Sequence, residues 1–513
     1  MTSLEANPSA AGVPPATFPL APTRWTKWSD RLNPILVREV QQAVKGRVFT
    51  LTVWVALLIT VVIAVATANS FDARGGAGRD AFNAGMATLM PLVLFVVPMQ
   101  AYQSMRIELR GGIVEQLLLS RLLPMRILYG KLLAAMVQFT LYVSVLAPLL
   151  ATSYLLRGVD LPTIVVSLVF ALIGCITATA FAVSSAAQAV LPALQAIANL
   201  ATAFGLGLAS FLFVGAAVSG QYSAMVSYLV REPEFAMVMV AILLLAGTVV
   251  TLSLLVAQSF LLHAFENKST GFRILLFTLP VLAFGWVLAF AGPSARDEFT
   301  AALTMVLLVT GIVFAVFMVT EQGELSPRMR AHVPTRAGLA LLAAPFLPGR
   351  DRGLLCFLGY LVWLAGLAWF CWSGTTRRQW IAEMMGIAAL TAVYAIGWLA
   401  FGRWLRGRLP AGLQGNHLGR FLLPMSFLLV LLLPVLVDLF LRGEVHNWHY
   451  GHVLNPFWTI EQVDRMNTWQ EAWLPAAIVT GVLLLLHARV LVGAVREVVA
   501  AGAALAQRRR SAP

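Results

Sequence analysis

The sequence predicts an all-α fold: a polytopic transmembrane helical bundle of about 12 spans, grouped six and six, with an N-terminal interfacial amphipathic helix. Three observations lead there. The chain is 59% hydrophobic and only 12% charged, about half the charge of an ordinary soluble domain. Its mean hydropathy is +0.82. Its apolar residues also come in runs of about 20 or more, the length that crosses a hydrocarbon core of ~30 Å.

The first 30 residues are rich in Pro, Ala and Thr and lack the apolar core of a cleavable signal. They read as a disordered cytoplasmic tail, residues 1–30. Asn33 and Pro34 then open a helix, the first as a cap and the second suited to the first turn. Over the next residues Leu36, Val40, Ala43 and Val44 share one face, and Arg38, Glu39, Gln42 and Lys45 lie largely on the other. Such a helix lies in the membrane interface rather than across it. Six spans follow near 48–69, 83–104, 131–156, 162–185, 193–218 and 235–262, making a first unit over 31–272. Six more fall near 273–292, 299–320, 353–374, 381–402, 420–441 and 472–495, making a second unit over 273–513. The two halves do not look alike in sequence. The last external loop, 442–471, gathers Trp448, Tyr450, Trp458 and Trp469, as an interfacial aromatic belt would.

With the N-terminus in the cytoplasm, 27 of the 36 Lys and Arg residues fall on the cytoplasmic side and 9 on the other. The net charge of +13 is therefore a topology signal, with both termini cytoplasmic. Lipid headgroups are its expected partners, and nucleic acid is not. Arg377 and Arg378 depart from the rule and make the ninth and tenth spans the weakest pair.

Arg106–Lys131 is a polar island between two long apolar runs. Glu108, Arg110, Gly111 and Gly112 come first. A short amphipathic helix with Glu115, Leu117 and Leu118 comes next, with Ile113, Leu117 and Leu118 on one side as a docking face. Pro124 breaks the chain and restarts it, and Gly130-Lys131 marks re-entry. Lys131 is expected to snorkel to the interface. Within the spans, Gln138, Asn199, Gln258, Asp438 and His487 are the polar residues. Intramembrane polar and ionisable groups are candidate functional positions, and Asn199, Asp438 and His487 are singled out as such. The three cysteines, Cys175, Cys356 and Cys371, sit in apolar runs without metal-ligand or disulfide spacing. No Gly-x-x-x-x-Gly-Lys-[Ser/Thr] loop or catalytic constellation is present, so neither an enzyme nor a metal centre is expected in this chain.

Two of these stretches carry a resemblance. The helix opened by Asn33 and Pro34, with Arg38 and Glu39, is similar to the interfacial helix that leads type-2 ABC exporter permeases into their first span. The Glu108–Lys131 stretch resembles the loop between the second and third spans of that family, which contacts the ATPase subunit. The resemblance covers about residues 30–272. It implies a multi-pass permease subunit of the bacterial cytoplasmic (inner) membrane. It implies a separate cytoplasmic P-loop ATPase, with ATP and Mg bound in that partner and no cofactor here, and a homodimer or second permease as a further partner. Two other classes stand beside it. One is an ion-coupled secondary transporter working through Asp438, His487 or Asn199. The other is a membrane scaffold or assembly protein that transports nothing.

Overall fold

The computed structural model describes residues 34–69, 76–119, 122–188, 192–262, 266–321, 325–331, 333–372, 378–408 and 469–511, with isolated positions between 423 and 459. The described residues are helical and contain no strand. Eleven of their helices are long and apolar enough to cross a membrane. The chain is a multi-pass helical membrane protein. These eleven correspond to the expected spans apart from the one near 420–441, which lies largely outside the described residues, as does the tail 1–30.

The physical reason for an all-helical answer is backbone satisfaction. In hydrocarbon no water is available to an open amide, so each apolar segment closes its hydrogen bonds on itself. Helix α1 (Pro34–Lys45) precedes α2 (Arg47–Asn69), the first span. The second span, α3 (Ala77–Arg110), changes register once, through a π turn at Leu92–Val96. Its cause is local: Pro98 has no amide hydrogen for the carbonyl one turn earlier, and Val97 N–H bonds Leu92 O instead. A seven-residue helix, α4 (Ile113–Leu119), leads to α5 (Pro124–Leu155). Leu123 is extended before Pro124 (ψ 135°), as the proline ring requires of its predecessor.

The unit continues with α6 (Leu161–Gln188), α7 (Pro192–Val218), the short α8 (Gln221–Arg231) and α9 (Phe235–Leu261). The second unit has α10 (Thr270–Phe290), α11 (Pro293–Val319), the short α12 (Pro327–Arg330) and α13 (Ala337–Ala343), then α14 (Arg350–Trp372), α15 (Arg378–Arg408) and α16 (Trp469–Ser511).

Each unit has its own apolar core. In the first, Phe82, Met86, Tyr142, Leu146 and Cys175 are fully enclosed between α3, α5 and α6. In the second, Leu276, Leu354, Phe357 and Tyr360 play that part. The outward faces are apolar too. On α2 alone Leu51, Trp54, Leu58 and Val62 are exposed, a surface that only lipid or another apolar body would cover.

Candidate functional site

The site lies at the end of the first unit where α1, α3, α4 and α5 meet. α1 packs along α5 and puts Arg38 and Glu39 against it. α3 runs on past its apolar part and brings Ser104 and Glu108, one helical turn apart, to the same face. α5 begins at Pro124, and two turns later Lys131 points inward.

These side chains form one closed network. Lys131 is 1% exposed. Its Nζ donates to Glu39 Oε1 at 2.9 Å and Ser104 Oγ at 2.7 Å. The same nitrogen lies 3.0 Å from Glu108 Oε2. Ser104 Oγ donates to Glu39 Oε2 at 3.0 Å. Arg38 Nη2 donates to Glu39 Oε1 at 3.2 Å and also to Glu108 Oε1. Two cations face two carboxylates, so the set is formally neutral. Burial by itself would raise the Glu39 carboxyl. The Lys131 charge and the hydrogen bonds from Lys131, Ser104 and Arg38 outweigh it and hold Glu39 below the ordinary carboxylate range.

The arrangement binds three elements that are far apart in sequence into one block. Helix α4 is fastened to it. Gly111 caps α3, its N–H bonded to Ile107 O at 2.9 Å, and Gly112 turns the chain at φ +68°. That left-handed conformation favours glycine. Val114 is buried in the apolar cluster of Tyr102, Met105, Leu128 and Leu132 just inside the ionic network.

The structure differs from the sequence expectation in three respects. Lys131 does not snorkel: α1 lies over the end of α5 and supplies Glu39, so the ammonium has buried partners rather than headgroups. Glu108 is buried with Arg38 and Lys131 and is not on offer to a partner. On α4, Leu117 and Leu118 are half-buried and Leu118 packs inward. The outward face is Ile113, Glu115, Gln116 and Leu119, of which Leu119 is 80% exposed.

Arg110 is exposed at the end of α3, while Pro124 and Gly130 are buried at the start of α5. Pro34 is the first residue of α1, and Asn33 lies outside the described residues. Ser104 was not singled out from sequence, although its spacing of four from Glu108 puts both on one face of α3.

The intramembrane candidates do not come together. Asn199 on α7 accepts a hydrogen bond from Tyr102 OH on α3. His487 on α16 is buried, its Nδ1 2.6 Å from Leu483 O in its own helix. Asp438 lies outside the described residues. Among the described residues no three His, Cys, Asp or Glu side chains are grouped as a metal site requires. Comparison with family models, with curated proteins and with solved structures gave no match.

Proposed function

We propose that this chain is the membrane permease subunit of an ATP-driven ABC exporter, sited in the bacterial cytoplasmic membrane with both termini in the cytoplasm. ATP and Mg belong to a separate P-loop subunit that docks on α4. The observation that carries the reading is the network of Arg38, Glu39, Ser104, Glu108 and Lys131 beneath an exposed helix. A docking helix transmits force only if it is seated on something stiff. Here α4 rests on the corner where α1, α3 and α5 are held together by buried ion pairs. The resemblance of this corner and of α1 to type-2 permeases supports the same assignment.

The mechanism needs two conformations of the permease that the ATPase binds with different affinity. Closure of the ATPase around nucleotide would push on Ile113, Glu115 and Leu119. The push passes through Val114 into the Met105–Leu128 cluster and through the ionic network into α1 and α5 together. These elements then move as one body, because a packed interior is stiff rather than fluid. Asn199 and His487 each have a hydrogen-bonding partner within the bundle, and no observation favours the secondary-transporter reading.

The test is purification from the native host in mild detergent, with mass spectrometry and a vanadate-sensitive ATPase assay, on the unmodified chain and on Glu115→Ala/Leu119→Arg. A P-loop ATPase should accompany the unmodified chain and be lost from the variant, with the melting temperature of the bundle unchanged. An ATPase retained equally by both would reject α4 as its dock. A chain that purifies without any ATPase would reject the exporter reading.

A further inference from the structure

The two halves share no evident sequence repeat, yet their helices pack in the same order. In the first unit the first span, α2, packs on the second (α3) and third (α5). The second packs on the third and on the fourth (α6), and the third packs on the fourth and on the sixth (α9). The fourth packs on the sixth. In the second unit α10 packs on α11 and α14, α11 on α14 and α15, α14 on α15 and α16, and α15 on α16. With α10, α11, α14, α15 and α16 as first, second, third, fourth and sixth, every one of these pairings recurs. Among the described residues neither unit has substantial packing of first with fourth, first with sixth, or second with sixth. Six spans separate the start of α2 from the start of α10, so both units are entered from the same side.

Each unit also ends its second span in a buried ion pair, with the cation drawn from the third span in one and from the first span in the other. In the first unit a carboxylate ending the second span, Glu108, is held by buried Lys131 at the start of the third. In the second unit Glu321, just past the end of α11, is held by Arg273, fully buried at the start of α10, at 2.9 Å. Arg273 also donates to the carbonyls of Pro345 (2.6 Å), Leu347 and Gly349 (3.2 Å) in the loop before α14. At the start of α14, Arg352 is 1% exposed and pairs with Glu497 of α16 at 3.0 Å. A seven-residue helix lies in each of these loops: α4 directly after the second span and packed on it, α13 shortly before the third span and packed on α16. α13 buries Ala340 against α16 and exposes Leu339, Leu341 and Leu342. Exposed Arg336 precedes it, and Arg328 and Arg330 of α12 are exposed but paired with Glu266 and Glu497, each at 3.3 Å.

We infer that the chain is a tandem of two units packed in the same order, and that α13 with its loop 333–349 is a second dock, for a second copy of the ATPase subunit. This rests on the exporter reading above. The apolar ridge of Leu339, Leu341 and Leu342 fits a partner groove that is apolar inside. Placement on the same side as α4, in the loop between the second and third spans of the same packing order, makes that partner the second ATPase. One chain then supplies both docks, and no second permease is needed.

The experiment uses the full chain with its ATPase in nanodiscs. Native mass spectrometry gives the stoichiometry. Single cysteines at Leu119→Cys and Leu341→Cys are cross-linked to the ATPase with a water-soluble bifunctional maleimide. The native cysteines are all buried and stay silent. The expected result is one chain with two ATPase copies and cross-linking at both positions. Cross-linking at Leu119→Cys alone, with two chains per ATPase pair, would overturn the second dock while leaving the exporter reading intact. A Leu341→Cys site protected only by anionic lipid would likewise overturn it. An absence of cross-linking at both positions would remove the exporter reading and the second dock with it.

Discussion

Replacing Lys131 by Met removes one charge and keeps the side-chain volume, and its consequence follows from the network around it. The ammonium sits 2.9 Å from Glu39 Oε1 and 3.0 Å from Glu108 Oε2, buried to 1% exposure. At 3 Å and an effective dielectric constant of 20, each attraction is on the order of 5 kcal/mol before desolvation is subtracted. Measured losses on breaking such a pair are about 3–5 kcal/mol, because a buried carboxylate is left without its counter-charge. Here two carboxylates are left facing Arg38 alone, so Lys131→Met should cost about 3–5 kcal/mol. The stronger test is a double-mutant cycle. Glu108→Gln leaves two cations against one carboxylate and breaks the contacts to Arg38 and Lys131. The double variant Lys131→Met/Glu108→Gln leaves Arg38 with Glu39 and restores neutrality. The double should therefore be more stable than the sum of the singles implies, by about 2 kcal/mol or more. Unfolding in mixed detergent micelles, followed by tryptophan fluorescence, measures all four corners. Additive losses would show that the charges are independently solvated and that the corner is not a single body.

Three further expectations follow. Arg273→Met strips Glu321 and three loop carbonyls of their buried donor and should cost about 3–5 kcal/mol, with protease sensitivity appearing first in the loop before α14; a stability within error of the parent would refute it. Gly311→Ala places a methyl 2.3 Å from the ring of buried Tyr360, at the seam of α11 and α14, and should cost about 1–3 kcal/mol through overpacking; Tyr360→Leu should recover part of that loss, and no recovery would place the strain elsewhere. Glu39 titrates below the ordinary carboxylate value of about 4.3, so its contribution to stability is complete above that pH and is lost as pH falls through the lower folded value. The melting-temperature difference between the parent and Glu39→Gln should shrink as pH falls through that acid range, whereas a difference that grows in acid would contradict the sign.

The spans were legible in sequence because lipid asks a simple thing of them, an uninterrupted apolar run that satisfies its own backbone. The break at Pro124 and the short helix before it were legible for equally local reasons, a ring that forbids helix in the preceding residue and a Gly pair that turns the chain. The fate of Lys131 was not. Its sequence neighbours show a cation entering the membrane, but its partners lie 92 residues away on α1 and one corner away on α3. Leu117 and Leu118 misled for a related reason: a seven-residue helix has apolar groups on most sides, and only packing decides which are covered. The shared packing order of the halves left little trace because lipid-facing and core-facing positions both accept Leu, Val, Ala and Phe. Packing order persists where residue identity need not.

The spacing of the ion pairs also sets a timetable for biosynthesis. Glu39, Glu108 and Lys131 are all available once the third span has been made, so the first unit closes its corner while the rest is still being translated. Arg352 must wait for Glu497, 145 residues later, an interval of roughly 7–30 s at ordinary elongation rates. Throughout it an arginine at the membrane boundary lacks the carboxylate that will bury it. A newly made chain is thus half locked and half open, and the open half is the part on which a membrane insertase or a quality-control protease would act.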